Sequence, residues 1–157
     1  MAASLPTFDR MVPATPDAIG ALRRQLRRWV RGHGGSATLQ ANVALAFSEA
    51  CTCFVAPLLD AEGGATDALG PLMLQAWVDG DELSVRVSHR SRDARAAAGD
   101  VGHGFALALI TRVCDRFEVR RRGGRPGTAL LMAFSLERAP APERSSPRPP
   151  SRSSPRR

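Results

Sequence analysis

The sequence predicts an α+β fold in which helices pack on one face of a mainly antiparallel sheet. Three observations predict it. Two long stretches with apolar residues at helical spacing come first, Ala18–Arg31 and Leu39–Ala56. Two short runs, Pro71–Val78 and Glu82–Ser88, then flank Asp79-Gly80-Asp81, whose Asp-Gly pair is favoured in tight hairpins. A third helical stretch, Phe105–Cys114, precedes two more strand-like runs, Phe117–Arg122 and Thr128–Leu136. With 157 residues, 43% of them hydrophobic, the chain is long enough for one domain with a real core.

Taken in order, residues 1–16 read as an N-terminal arm: three prolines break any helix, and Phe8, Met11 and Val12 leave room for one edge strand. The domain proper is placed at residues 17–137. Asp17 is a suitable cap for the first helix, whose apolar stripe is Ile19, Leu22, Leu26, Trp29 and Val30. Arg23, Arg24, Arg27, Arg28 and Arg31 fill its other side, a pattern that fits a phosphate or acidic partner and equally fits a solvated face. Gly32, Gly34 and Gly35 end that helix, and Ser36 or Thr38 caps the next. The second helix, LQANVALAFSEACTCFVA, buries Val43, Ala46, Phe47 and Ala50 and should stop at Pro57, which cannot donate a backbone bond. Glu49 and Cys53, four residues apart, project from one face. In Glu82–Ser88 the alternation of Leu83, Val85 and Val87 marks a half-buried strand. Gly102-His103-Gly104 opens the third helix, and Gly123–Gly127 is a turn between the last two strands.

Composition narrows the function. No run of eighteen apolar residues exists, so no membrane span is expected. MAASLPTFDR lacks a basic region followed by an apolar one, which points to a cytoplasmic protein. Cys51 and Cys53 stand about 200° apart around a helix and cannot form a metal pair; with Cys114 they read as small buried hydrophobes. The three histidines show no ligand spacing. All 22 basic residues are Arg and the net charge is +7. Residues 138–157 carry +5 of it, leaving +2 for the other 137 residues, so the domain is nearly balanced. That Arg/Pro/Ser tail has no core-forming residue and should be disordered. It offers weak non-specific contact to nucleic acid or an anionic surface, or simply keeps the chain soluble.

Four phrases, in order and on matching elements, resemble one family. Ser48–Val55 reads SEACTCFV on the second helix, where the family has a phrase like SEACTNAV. Glu82–Val87 matches the second hairpin strand, Gly102-His103-Gly104-Phe105 the Gly-x-Gly-Leu that opens a helix, and Gly127-Thr128 the start of the last strand. From about Leu22 to Leu136 the chain resembles the ATP-binding anti-sigma regulatory factors, serine/threonine kinases of the histidine-kinase-type ATPase superfamily. The resemblance implies that superfamily's sandwich fold and an ATP site. Glu49 takes the place of the catalytic carboxylate, a general base toward the acceptor hydroxyl. Gly102 and Gly104 take the place of glycines whose backbone approaches the phosphates, and Thr128 that of a hydroxyl near adenine. The physics agrees for the glycines, since a helix N-terminus presents free N–H groups to an anion.

The departures are specific. The family's magnesium-binding Asn is Cys53 here, and a thiol is a poor ligand for a hard cation. The family's adenine-binding Asp falls on His89, whose neutral ring has one acceptor nitrogen. Its two following glycines fall on Ser91 and Asp93. Two readings follow. In one, the chain is an ATP-binding regulator of transcription that binds, and phosphorylates on Ser, a sigma-factor or anti-anti-sigma partner. In the other, it is a nucleotide-independent pseudo-kinase that only binds such a partner, with the Arg-rich first helix as its contact surface. Homodimer formation stays open under both.

Overall fold

A computed structural model describes residues 8–59, 70–89, 104–121 and 128–136. Strand β1 is Phe8–Val12, helix α1 Pro16–Gly32, helix α2 Ala37–Leu59, strand β2 Leu72–Asp79, strand β3 Glu82–His89, helix α3 Gly104–Val113, strand β4 Arg116–Arg121 and strand β5 Thr128–Ser135. The strands form one antiparallel sheet in the order β1-β2-β3-β5-β4. Because β3 and β4 both run antiparallel to β5, they are parallel to each other, and α3 is the crossover between them.

Burial follows the pleat. Leu72, Leu74, Ala76, Leu83, Val85, Val87, Leu130, Met132 and Phe134 share one face of the sheet and pack with Leu22, Leu26, Val30, Val43, Phe47, Ala50 and Ile110 from the three helices. Helices on one face of an antiparallel sheet are thus what the structure contains. Helix α2 is central, touching α1, α3, β3 and β5. Its small buried residues, Ala44, Ala46 and Ala50, allow those approaches.

Boundaries moved where local chemistry was misread. Thr15, not Asp17, caps α1: its hydroxyl accepts from the Ala18 N–H at 3.4 Å, Pro16 sits in the first turn, and Asp17 complements the helix dipole from inside it. Ser36 rather than Thr38 caps α2, accepting from the Leu39 N–H at 3.1 Å. Helix α2 does not stop at Pro57 but runs to Leu59. A proline this near the end removes one bond, to the Cys53 carbonyl, while the preceding turns are held by packing. The arm contributes β1, an edge strand blunted by Asp9 and Arg10. Gln75 donates to the Asp9 carboxylate at 3.2 Å, and the Arg10 guanidinium lies 5.0 Å from the Phe8 ring centre.

Helix α1 carries one local conflict. Arg24, Arg27, Arg28 and Arg31 stand at the i, i+3, i+4, i+7 positions of one exposed face. Each like-charged neighbour at that spacing disfavours a helix by about 0.2–0.5 kcal/mol. Burial of Leu22, Leu26 and Val30 on the opposite side outweighs this. Among the described helices none is long and apolar enough to cross a membrane. The tail and Gly102 lie outside the described residues.

Candidate functional site

The candidate residues gather at one end of the helix layer. His89 closes β3, and Ser88 pairs with Ala129, so one further step of register sets His89 opposite Thr128. Both residues share the parity of Val87 and Leu130 and therefore face the helices. His89 is 3% exposed, and its ring lies 4.6 Å from that of Phe54 on α2. Cys53 and Glu49 stand just before Phe54, both half-buried. At its other end, α2 shares a small cavity with the opposite end of the sheet, lined by Leu39, Asn42, Val113 and Phe134. Helix α3 therefore runs antiparallel to α2. Gly104, nine residues before Val113, rises about 13.5 Å from it at 1.5 Å per residue. That brings the α3 N-terminus level with the Glu49 turn.

Electrostatics set what these groups can do. Burial, and then the nearby Glu49 carboxylate, push the Cys53 thiol up to about 11. It is a neutral S–H at neutral pH. Cys51 is buried in the core and pushed up to about 12, chiefly by the same desolvation. Burial pushes the His89 imidazole below its ordinary value, so the ring is neutral at neutral pH. Around Glu49, the Ser48 hydroxyl donates to the Ala44 carbonyl at 2.9 Å and receives the Arg23 guanidinium at 3.5 Å. Gly104 is exposed and starts α3, and among the described residues a Cβ built there would meet nothing within 4 Å.

A nucleotide and a magnesium ion fit this end unequally. A neutral imidazole and a threonine hydroxyl on adjacent strand ends, with a helix N-terminus level with the Glu49 turn, are chemically suited to a base and a phosphate. The donor set does not suit magnesium: the half-buried thiol of Cys53 stays protonated, and a hard cation wants oxygen. Among the described residues no three His, Cys, Asp or Glu side chains come together as a metal site.

Sequence reasoning missed Phe54, the ring that covers His89; its only signal was an aromatic one residue after Cys53. It also missed that Arg24, Arg27, Arg28 and Arg31 line a groove with Gln40 of α2, although their spacing was readable.

His89 makes stability depend on pH. The unfolded chain takes a proton at His89 more readily than the folded one, so stability is expected to fall as pH drops below about 6.5, by at most about 1.4 kcal/mol per pH unit. The loss stops growing once pH is below the folded value. Urea denaturation of the wild type and His89→Gln between about pH 7.5 and pH 5 checks this. The wild type should lose more stability toward acid, and parallel profiles would remove His89 from the account.

Comparison with curated proteins finds no match. Among solved structures, the RsbU and RsbW domains of Rv1364c from Mycobacterium tuberculosis are similar, with a TM-score of 0.59 and 20% identity over 86% of this chain and 33% of that one. The SiaB-SiaC complex from Pseudomonas aeruginosa contains a chain with a TM-score of 0.60 and 14% identity, covering 82% of this chain and 89% of that one. The present chain thus spans about a third of the first relative's length. At these identities the likeness shows the fold. The family profile described as histidine kinase-like ATPase domain matches residues 12–134. That stretch contains every described element from α1 to β4 and nearly all of β5, and the chain belongs to the family of histidine kinase-like ATPase domains.

Proposed function

We propose that the chain is an ATP-binding regulatory protein of the anti-sigma factor type, acting by binding a regulatory protein partner such as a sigma factor or an anti-anti-sigma factor. The observation that carries this reading is the convergence of His89, Thr128, Glu49 and the α3 N-terminus at one end of a fold from this ATPase family. Thr128 and His89 would hold the base, and the backbone at Gly104 the phosphates, joined by Gly102 outside the described residues. Bound ATP would supply a transferable phosphoryl group. Glu49 is the side chain suited to take a proton from a partner Ser hydroxyl. Cys53 weakens the catalytic version of this reading, because phosphoryl transfer relies on a metal to spread charge and the thiol does not bind one well. Binding therefore stands ahead of kinase activity. The SiaB-SiaC complex supports a partner-binding role by analogy of fold.

Calorimetric titration with ATP, with and without magnesium, tests the reading. The wild type is expected to bind ATP with an affinity that magnesium changes little. Cys53→Asn, which restores an oxygen donor, should make binding tighten about 10-fold or more with magnesium. Absence of heat from a protein folded by circular dichroism would reject ATP binding and leave the nucleotide-independent reading. Labelled phosphate reaching a co-purified partner from the Cys53→Asn variant, and not from the wild type, would place the lost step at Cys53.

A further inference from the structure

Among the described residues, nothing gives the Arg24, Arg27, Arg28 and Arg31 face of α1 a structural task. All four side chains are exposed, and with Gln40 of α2 they line a groove of about 270 Å³. The ion pairs found among the described residues are Arg116–Glu82 and Arg120–Glu118, both on strands, and neither reaches α1. The one acid in α1, Asp17, lies in its first turn, two turns from Arg24. Only Arg31 sits in the last turn, where the helix dipole favours a cation, so the dipole does not account for Arg24 or Arg27. Arg23 points elsewhere, toward Ser48. The result is four guanidinium groups over two helical turns, repelling one another with no carboxylate among the described residues paired to them.

We propose that this stripe is a docking surface for an acidic segment of a protein partner. The inference rests on the partner-binding half of the function proposed above and gives that partner a chemistry. The stripe is about 10.5 Å long at 1.5 Å per residue. That matches two turns of a helix bearing carboxylates at i, i+3, i+4 and i+7, each meeting a guanidinium fork. A nucleic-acid ligand fits less well. A duplex is held chiefly through many phosphate contacts, and the groove lining among the described residues holds four cations and no aromatic ring on which a base could stack. Against a membrane surface, the described lining of the groove offers no apolar side chain to insert.

The test uses the full chain and a fluorescein-labelled helical peptide with Glu at i, i+3, i+4 and i+7, followed by fluorescence anisotropy. A peptide with Gln at those positions and a short DNA duplex are compared. The wild type should bind the Glu peptide at least about 10-fold more tightly than the Gln peptide, and less tightly as salt rises. Replacing Arg27→Gln and Arg28→Gln together should weaken Glu-peptide binding at least about 10-fold, while Arg112→Gln on α3 should not. Gln is a good helix former and the change relieves like-charge repulsion, so the double variant should fold, which circular dichroism checks. Unchanged peptide binding in the double variant would overturn the proposal, as would tighter binding of the DNA duplex that the same variant abolishes. ATP titration of the same samples reads the nucleotide site separately: ATP binding that fails while the stripe still holds the peptide rejects the nucleotide function and not the docking surface.

Discussion

Phe47→Ala is expected to destabilise the protein by about 3–5 kcal/mol, a large part of what a small domain has. Phe47 is 1% exposed and sits in the middle of α2, the helix that touches both other helices and two strands. Cutting it to a methyl leaves a cavity in the layer between helices and sheet, and the neighbouring Ala46 and Ala50 are too short to fill it. Leu45, on the same helix, is 38% exposed, and Leu45→Ala should change stability by no more than about 0.5 kcal/mol. Urea denaturation of the two variants reads the contrast directly. Equal losses would mean that α2 is not the centre of the core. Loss at Phe47 should also weaken the proposed ATP binding, because the same helix carries Glu49 and Cys53.

That helix was the most legible part of the sequence. The spacing of Val43, Ala46, Phe47 and Ala50 named its buried face, and all four are buried. The stripe of α1 and the Asp-Gly hairpin were equally readable, because periodicity and turn chemistry are local. What local pattern does not carry is pairing. The position of β5 between β3 and β4, and of β1 beside β2, depends on contacts far apart in sequence. Helix ends were missed for a different reason: Thr15 and Asp17 are both acceptable caps, and only the backbone at Thr15 decides between them. The candidate site divides in the same way. Glu49 and Cys53 were placed on one face by counting residues. The closure of His89 under Phe54 could not be, since it arises where α2 crosses β3. The match of phrases to a family was a pattern of order, and it led to the fold that is present. The roles assigned to Glu49, Cys53, His89, Gly104 and Thr128 remain proposals that ATP titration addresses.

Gly35→Ala is expected to cost about 1–3 kcal/mol or more, although the substitution adds a single methyl group. The loop between α1 and α2 contains two glycines with opposite reasons for being glycine. Gly34 has a φ of +84°, yet a Cβ there would meet nothing within 4 Å. Its cost is conformational, about 1 kcal/mol for placing an L-residue in the left-handed region. At Gly35 a Cβ would come within 2.5 Å of the Val30 Cγ1 and 2.9 Å of the Val30 carbonyl oxygen. Val30 is wholly buried and cannot retreat, and its carbonyl already accepts the Gly35 N–H at 3.0 Å. The Gly35 carbonyl in turn accepts from the Gln40 side chain at 3.0 Å, and Gln40 lines the arginine groove. A methyl at Gly35 therefore pushes the start of α2 away from the end of α1. Thermal denaturation of the two variants should place Gly35→Ala well below Gly34→Ala. Peptide anisotropy should show weakened docking at the groove in Gly35→Ala alone. If Gly34→Ala were the more damaging of the two, backbone conformation and not close packing would govern how α1 is set against α2.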